Sequence, residues 1–235
     1  MVDLKGQFDK IKDEVNASIQ EVLETTAFIN GPKVHQFQKN LEDYLGVKHV
    51  IPCANGTDAL QIAMMGLDLK PGDEVITADF TFAATVEVIA LLHLTPVLVD
   101  VNPDDFNISI EAIKKAITPK TKAIMIAHTL GNPFDLSKIS KISKEHNLWL
   151  VEDCCDALGS TFNNQHVGSF GDIATFSFYP AHHITMGEGG AVFTNNDTLK
   201  VIAESFRDWG RDCYCEPGED NTCGKRYDQQ LGDLP

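Results

Sequence analysis

The chain is short of positive charge: 19 lysines and arginines stand against 34 acidic residues, a formal net charge of −15 at pH 7. Such a surface repels a polyanion, so nucleic acid is excluded as a partner, whereas a small anionic ligand needs only a local cluster of donors. Long apolar runs are lacking as well. None approaches the roughly 20 residues of a membrane span. The opening stretch, MVDLKGQFDKIKDEV, reads as a charged amphipathic helix without the apolar segment of a signal peptide. No internal repeat and no low-complexity tract is present. These absences leave a soluble cytoplasmic protein as the expectation.

What is there suffices for a large core: 235 residues, 43% of them hydrophobic and spread along the whole length. Helical and strand patterns alternate, the mark of an α/β fold with a mainly parallel sheet between two layers of helices. Helices are expected over residues 5–24, 34–45, from NGTDAL to about 67, and over 82–92, 109–117, 136–146 and 197–209. Strands are expected at HVIPCA (49–54), EVIT (74–77), PVLVDV (96–101), KAIMIAH (122–128), LWLVED (148–153), DIATFSF (172–178) and GGAVFTN (189–195). Three regions follow: a helical arm over 1–24, a large domain over 25–210, and a tail over 211–235 rich in turn formers, charges and cysteines. The tail stops without a capping helix or second sheet, so a further C-terminal small domain is expected to be missing.

Three segments offer chemistry. In NGTDAL a strand runs through Gly56 and Thr57 into a helix, whose free N–H groups and dipole make a phosphate seat. The plainer alternative is a helix capped by Asn55 or Thr57. Asp153 ends a buried strand, where open α/β sheets gather ligands, and a carboxylate there can hold a pyridinium nitrogen protonated. Equally, it can cap the turn that follows. Phe82, at a helix start, can stack on a flat ring or belong to the core.

The stretch TFSFYPAHHITMGEGGAVFTN, with NGTDAL, TFAAT and VED before it in matching order, resembles the DegT/StrS-type sugar aminotransferases. These are pyridoxal phosphate enzymes of fold type I. The resemblance implies that Gly56, Thr57 and Ser177 hold the cofactor phosphate, Phe82 covers the ring, and Asp153 pairs with its nitrogen. Asp156 falls near the ring oxygen, where the family carries Gln or His. Counting from Ser177, the family's lysine is replaced by His182, and the nearest lysine downstream is Lys200. Imidazole cannot attach pyridoxal covalently, but it can move protons near neutral pH. A histidine here is similar to the branch that uses pyridoxamine 5′-phosphate (PMP) to remove the 3-hydroxyl of a nucleotide-linked 4-keto-6-deoxyhexose. The resemblance also implies a CDP-linked substrate, a homodimer, and a flavin and iron–sulfur reductase as electron donor. An ordinary aminotransferase, and a truncated chain that binds cofactor or metal without turnover, are the rival readings.

Six cysteines occur, and disulfides are not expected in a reducing compartment. Cys155, Cys213, Cys215 and Cys223 are separated by 57, 1 and 7 residues. Four thiolates suit a [2Fe–2S] cluster or zinc, and spacing alone does not choose between them. One subgroup of the dehydrase branch is similar in carrying a [2Fe–2S] cluster on this spacing, so the resemblance implies the cluster. Cys53 and Cys154 are expected to be small buried hydrophobes.

Overall fold

Most helices start where a polar side chain answers the free backbone N–H groups of the first turn. In the computed structural model, residues 2–213, 215 and 219–225 are described. The remainder of the predicted tail, 226–235 included, lies outside them. Asp3 caps α1 (Leu4–Thr25), and Pro32, whose missing N–H costs nothing in the first turn, opens α2 (Pro32–Leu45). Asn55 caps α3 (Gly56–Met65), and α4 (Ala83–Leu91) begins after Phe82 with no side-chain cap. Ser109, Asp135 and Asn196 cap α5 (Ile110–Ala116), α6 (Leu136–His146) and α7 (Asp197–Arg207).

The strands are β1 (His49–Cys53), β2 (Glu74–Ala78), β3 (Thr95–Val99), β4 (Thr121–Ala127), β5 (Trp149–Asp153), β6 (Thr161–Phe162), β7 (Gln165–His166), β8 (Ile173–Ser177) and β9 (Gly190–Thr194). Seven of them form one sheet in the order β1-β9-β8-β5-β4-β2-β3. Only β9 runs against its neighbours, pairing antiparallel with both β1 and β8. The other two, β6 and β7, make a small hairpin turned by Asn163 and Asn164, both at positive φ, as a tight two-residue turn demands.

Strand residues alternate between two cores. Ile76, Ile124, Ile126, Leu150 and Phe176 pack against α2, α5 and α6, while Val75, Ala123, Met125, Val151 and Val192 pack against α3, α4 and α7. Apolar residues on both faces of one strand explain why β4 reads as an unbroken apolar run. Helix α1 buries none of its residues and leaves Phe8, Ile11 and Ile19 exposed. Among the described residues, no helix is long and apolar enough to cross a membrane. The carboxyl ends of β1, β4, β5 and β8 and the first residue of β9 meet at one edge of the sheet. All the strand-borne groups expected to act on a ligand lie there.

Candidate functional site

The start of α3 and the β8–β9 junction are pressed together. A methyl group on Gly56 would stand 2.6 Å from Ser177 Cβ and 2.9 Å from its Oγ, and one on Gly190 only 2.1 Å from the Asn55 carbonyl oxygen. Only hydrogen fits at either place. Asn55 caps the helix by accepting from the Asp58 N–H at 2.8 Å, which leaves Thr57 exposed at the mouth. The cap therefore falls to Asn55, and Thr57 takes no part in it. The Ser177 hydroxyl completes a cradle of small donors at the positive end of a ten-residue helix.

Asp153 ends β5 and is 5% exposed. Its carboxylate accepts from the Thr85 hydroxyl at 3.0 Å and from the Cys155 N–H at 3.1 Å. Thr85, fully buried on α4, in turn receives a hydrogen bond from Thr81 at 3.2 Å. Thr85 was not singled out from the sequence, although a threonine four residues after another, in a helix otherwise apolar on that side, was the available signal. Phe82 is 76% exposed, so it is not a core residue, and its ring is free to cover a ligand at this edge.

His182 lies in the loop between β8 and β9, where its Nδ1 is 2.8 Å from an Asp156 carboxylate oxygen. The neighbouring His183 is exposed. The two histidines thus differ in surroundings, His182 paired with a carboxylate and His183 facing solvent. Asp156 joins the histidine rather than standing alone beside the strand end. Lys200 is remote. It follows β9, which runs away from this edge, and α7 starts where Asp197 meets His49 at 2.7 Å, at the opposite end of β1. There Lys200 pairs with Glu204 at 2.7 Å.

Three of the four expected metal-binding thiols come together. Cys215 and Cys223 sulfurs are 3.3 Å apart, Cys223 and Cys213 3.6 Å. Beside Cys215, Thr222 and the Cys223 N–H, which donates to the Cys215 sulfur at 3.5 Å, lower the Cys215 thiol pKa to about 6. Cys155 is not in this group, nor does any other thiol among the described residues join it. Cys155 stands two residues after the end of β5, with its sulfur turned under the first residue of α3, 3.3 Å from where a Gly56 methyl would be. Burial and the adjacent Asp153 push its thiol well above the usual range. Sequence separation did not show that this residue is tied to the strand end while the other three ride on the loop after α7. Cys154 is fully buried, as expected of an inert small hydrophobe; Cys53, expected to be buried as well, is only half-buried, though burial still pushes its thiol up to about 12.

Also unread from the sequence is Glu152, one residue before Asp153 and on the opposite face of β5. Its buried carboxylate accepts from Gly168, Phe170 and Gly171 N–H groups at 2.7, 2.9 and 2.6 Å, and pairs with His128 Nε2 at 3.0 Å.

The chain is similar, at 55% identity over 229 residues, to the lipopolysaccharide biosynthesis protein RfbH of Salmonella typhimurium, covering 94% of this chain and 51% of that protein. It is 46% identical over 232 residues to the dTDP-4-dehydro-2,6-dideoxy-D-glucose 3-dehydratase of Saccharopolyspora spinosa, covering 95% and 50%. Among solved structures, the E. coli GDP-4-keto-6-deoxy-D-mannose-3-dehydratase with bound hydrated PLP superposes with a TM-score of 0.76 at 33% identity, covering 80% of this chain and 50% of that one. The chain spans about half the length of the curated relatives it matches. The sheet and its two helical layers are those of fold-type-I pyridoxal phosphate enzymes. The sequence pattern of the DegT/DnrJ/EryC1/StrS aminotransferase family matches residues 9–228, and the chain belongs to that family.

Proposed function

We propose that the chain is the cofactor-binding part of a PMP-dependent dehydrase that removes the C3 hydroxyl of a nucleotide-linked 4-keto-6-deoxyhexose. The observation that carries this reading is His182: an imidazole paired with a carboxylate stands where the family's lysine is counted, and Lys200 lies at the far end of the sheet. The cradle fits the cofactor. Gly56 and Gly190 let the start of α3 and the β8–β9 junction pack into contact, which brings the Ser177 hydroxyl beside the free N–H groups of the first turn of α3, a donor set suited to a phosphate.

Pyridoxamine phosphate, when bound, supplies an amine that condenses with a sugar ketone and a ring that takes up electrons. The chain's own groups do the rest. The N–H groups of Gly56 and Thr57, with the Thr57 and Ser177 hydroxyls, hold the phosphate. Asp153, fixed by Thr85, accepts from the ring nitrogen and keeps its proton in place. Phe82 covers one face and excludes water. The free nitrogen of His182 takes a proton as the C3 hydroxyl departs.

Cys213, Cys215 and Cys223 are ready ligands for a metal, and it is the resemblance, with Cys155 as the fourth ligand, that favours a [2Fe–2S] cluster and a flavin and iron–sulfur reductase as donor. The four do not fit a cluster as they stand, because Cys155 is turned toward α3 while the other three gather after α7. The substrate is a nucleotide-linked ketosugar, CDP-linked by resemblance, and the working unit a homodimer, since fold-type-I sites lie between subunits.

The test is one anaerobic preparation read two ways. Borohydride reduction after removal of unbound pyridoxal phosphate is expected to leave no lysine labelled in proportion to the chain, and iron with acid-labile sulfide and visible absorption is the result that would show Cys155 joining the other three thiols in a cluster. A labelled lysine would replace the dehydrase by an aminotransferase. Zinc without colour would remove the cluster and leave the cofactor assignment standing.

A further inference from the structure

We infer that Asp156 is a positioning residue that fixes the tautomer and direction of His182; the inference rests on the reading of His182 as the base. The distance from His182 Nδ1 to Asp156 Oδ1 is 2.8 Å. A carboxylate offers only lone pairs, so the proton between them belongs to Nδ1, and Nε2 keeps its lone pair for a substrate proton. Without the carboxylate either nitrogen can carry the proton, and water favours the form with the proton on Nε2, which cannot act as a base from that atom.

Both ends of the pair are pinned by backbone. Asp156 sits in a tight turn after β5, where the Ala157 N–H donates to the Cys154 carbonyl at 2.9 Å and the Ser160 N–H to the Ala157 carbonyl at 3.0 Å. Gly131 presses on this turn so closely that a methyl group on it would come 2.6 Å from the Asp156 carbonyl oxygen, and the Ser160 hydroxyl donates to the Gly131 carbonyl at 2.7 Å. On the other side, the His182 N–H closes a turn on the Tyr179 carbonyl at 3.0 Å, and Thr185 Oγ1 ties the same loop to the Phe178 carbonyl at 2.9 Å. Two separate loops are therefore held so that one carboxylate meets one imidazole. The His182 side chain is 18% exposed and that of Asp156 52%, so the ring is largely enclosed while its partner can be changed with little disturbance to the core. The resemblance places Asp156 near the cofactor ring; the geometry adds a bond from one of its oxygens to the histidine.

The experiment is a long-range proton–nitrogen correlation spectrum of the full chain labelled with nitrogen-15 in its histidines, the His182 signals identified by their loss in His182→Asn. Wild type is expected to show His182 protonated on Nδ1, and Asp156→Ala to show a shift toward protonation on Nε2. Asp156→Ser serves as a second substitution should the alanine variant not fold. In turnover of a nucleotide-linked 4-keto-6-deoxyhexose with PMP, Asp156→Ala is expected to lower kcat roughly 100- to 10,000-fold, the span of a general base, with KM changed less than about 3-fold. An unchanged tautomer in both Asp156 variants overturns the inference and leaves the dehydrase reading intact. A His182→Asn variant that dehydrates at full rate overturns the base assignment instead, whatever the spectrum shows.

Discussion

Replacing Glu152 by glutamine should cost more stability than any other single-atom change near the site. The wild-type carboxylate and His128 are both fully buried. One oxygen takes the N–H groups of Phe170 and Gly171, and the other takes Gly168 N–H and His128 Nε2. A glutamine keeps the first oxygen and turns the second into an amide nitrogen. His128 can adapt by presenting a lone pair, because its Nδ1 has no partner and can take the proton. Gly168 N–H cannot adapt: at φ +86°, with Phe193 and Cys154 packed where a side chain would be, its backbone is fixed. One orphaned buried N–H costs about 1–3 kcal/mol, and weakening the bonds to a charged acceptor adds to that. The expected loss is about 2–3 kcal/mol, or roughly 4–12 °C in Tm for a chain of this size. Thermal unfolding followed by circular dichroism measures it. A Glu152→Gln variant melting within about 1 °C of wild type would show that this acceptor does not hold the 168–171 loop. Glu152→Ala, which strands all four donors, is expected to give no folded protein.

Two further outcomes follow from the same geometry. Thr85→Val keeps the buried volume but removes the hydroxyl that donates to Asp153. It should weaken PMP binding by about 5- to 10-fold, the equivalent of one hydrogen bond, and unchanged binding in a fluorescence titration would contradict the role given to Thr85. Asp172 has its pKa raised by partial burial, against a lowering by the Leu150 N–H. A raised carboxylate means that the fold prefers the protonated form. Its contribution is complete below the ordinary carboxylate pKa and is lost as pH rises through the folded value. Asp172→Asn should accordingly melt higher than wild type at pH 7, with the difference closing as pH falls through the carboxylate range; a constant difference would argue against burial as the cause.

Periodicity read the elements closely because it records burial. The apolar run of β4 and the stripe of α6 each reflect which side chains meet a core. Direction and distance are not recorded in that way. Nothing in GGAVFTN distinguishes a strand that runs with its neighbours from one that runs against them, so the reversal of β9 came only with the structure. Asp153 was legible because it ends a buried strand. Glu152, one position away, was not, because alternation turns it to the other face, where its partners come from the 168–171 loop. The partnership of Asp156 with His182 joins positions 26 apart, and the regular cysteine spacing gave no sign that Cys155 would turn toward α3. Local pattern names the residues, and tertiary contact decides whom they meet.

The reversal of β9 has a further consequence. Because β8 and β9 are both consecutive and adjacent, with Ser177 opposite Gly190, the residues between them form a closed loop hung from one rung of the ladder. Position 182 lies outside the strands and outside both buried cores, so a change of side chain there leaves every strand pairing in place. On the reading proposed for His182, the residue that selects the reaction would sit on an exchangeable insert outside the strand ladder, where a substitution leaves the folding of the scaffold the same.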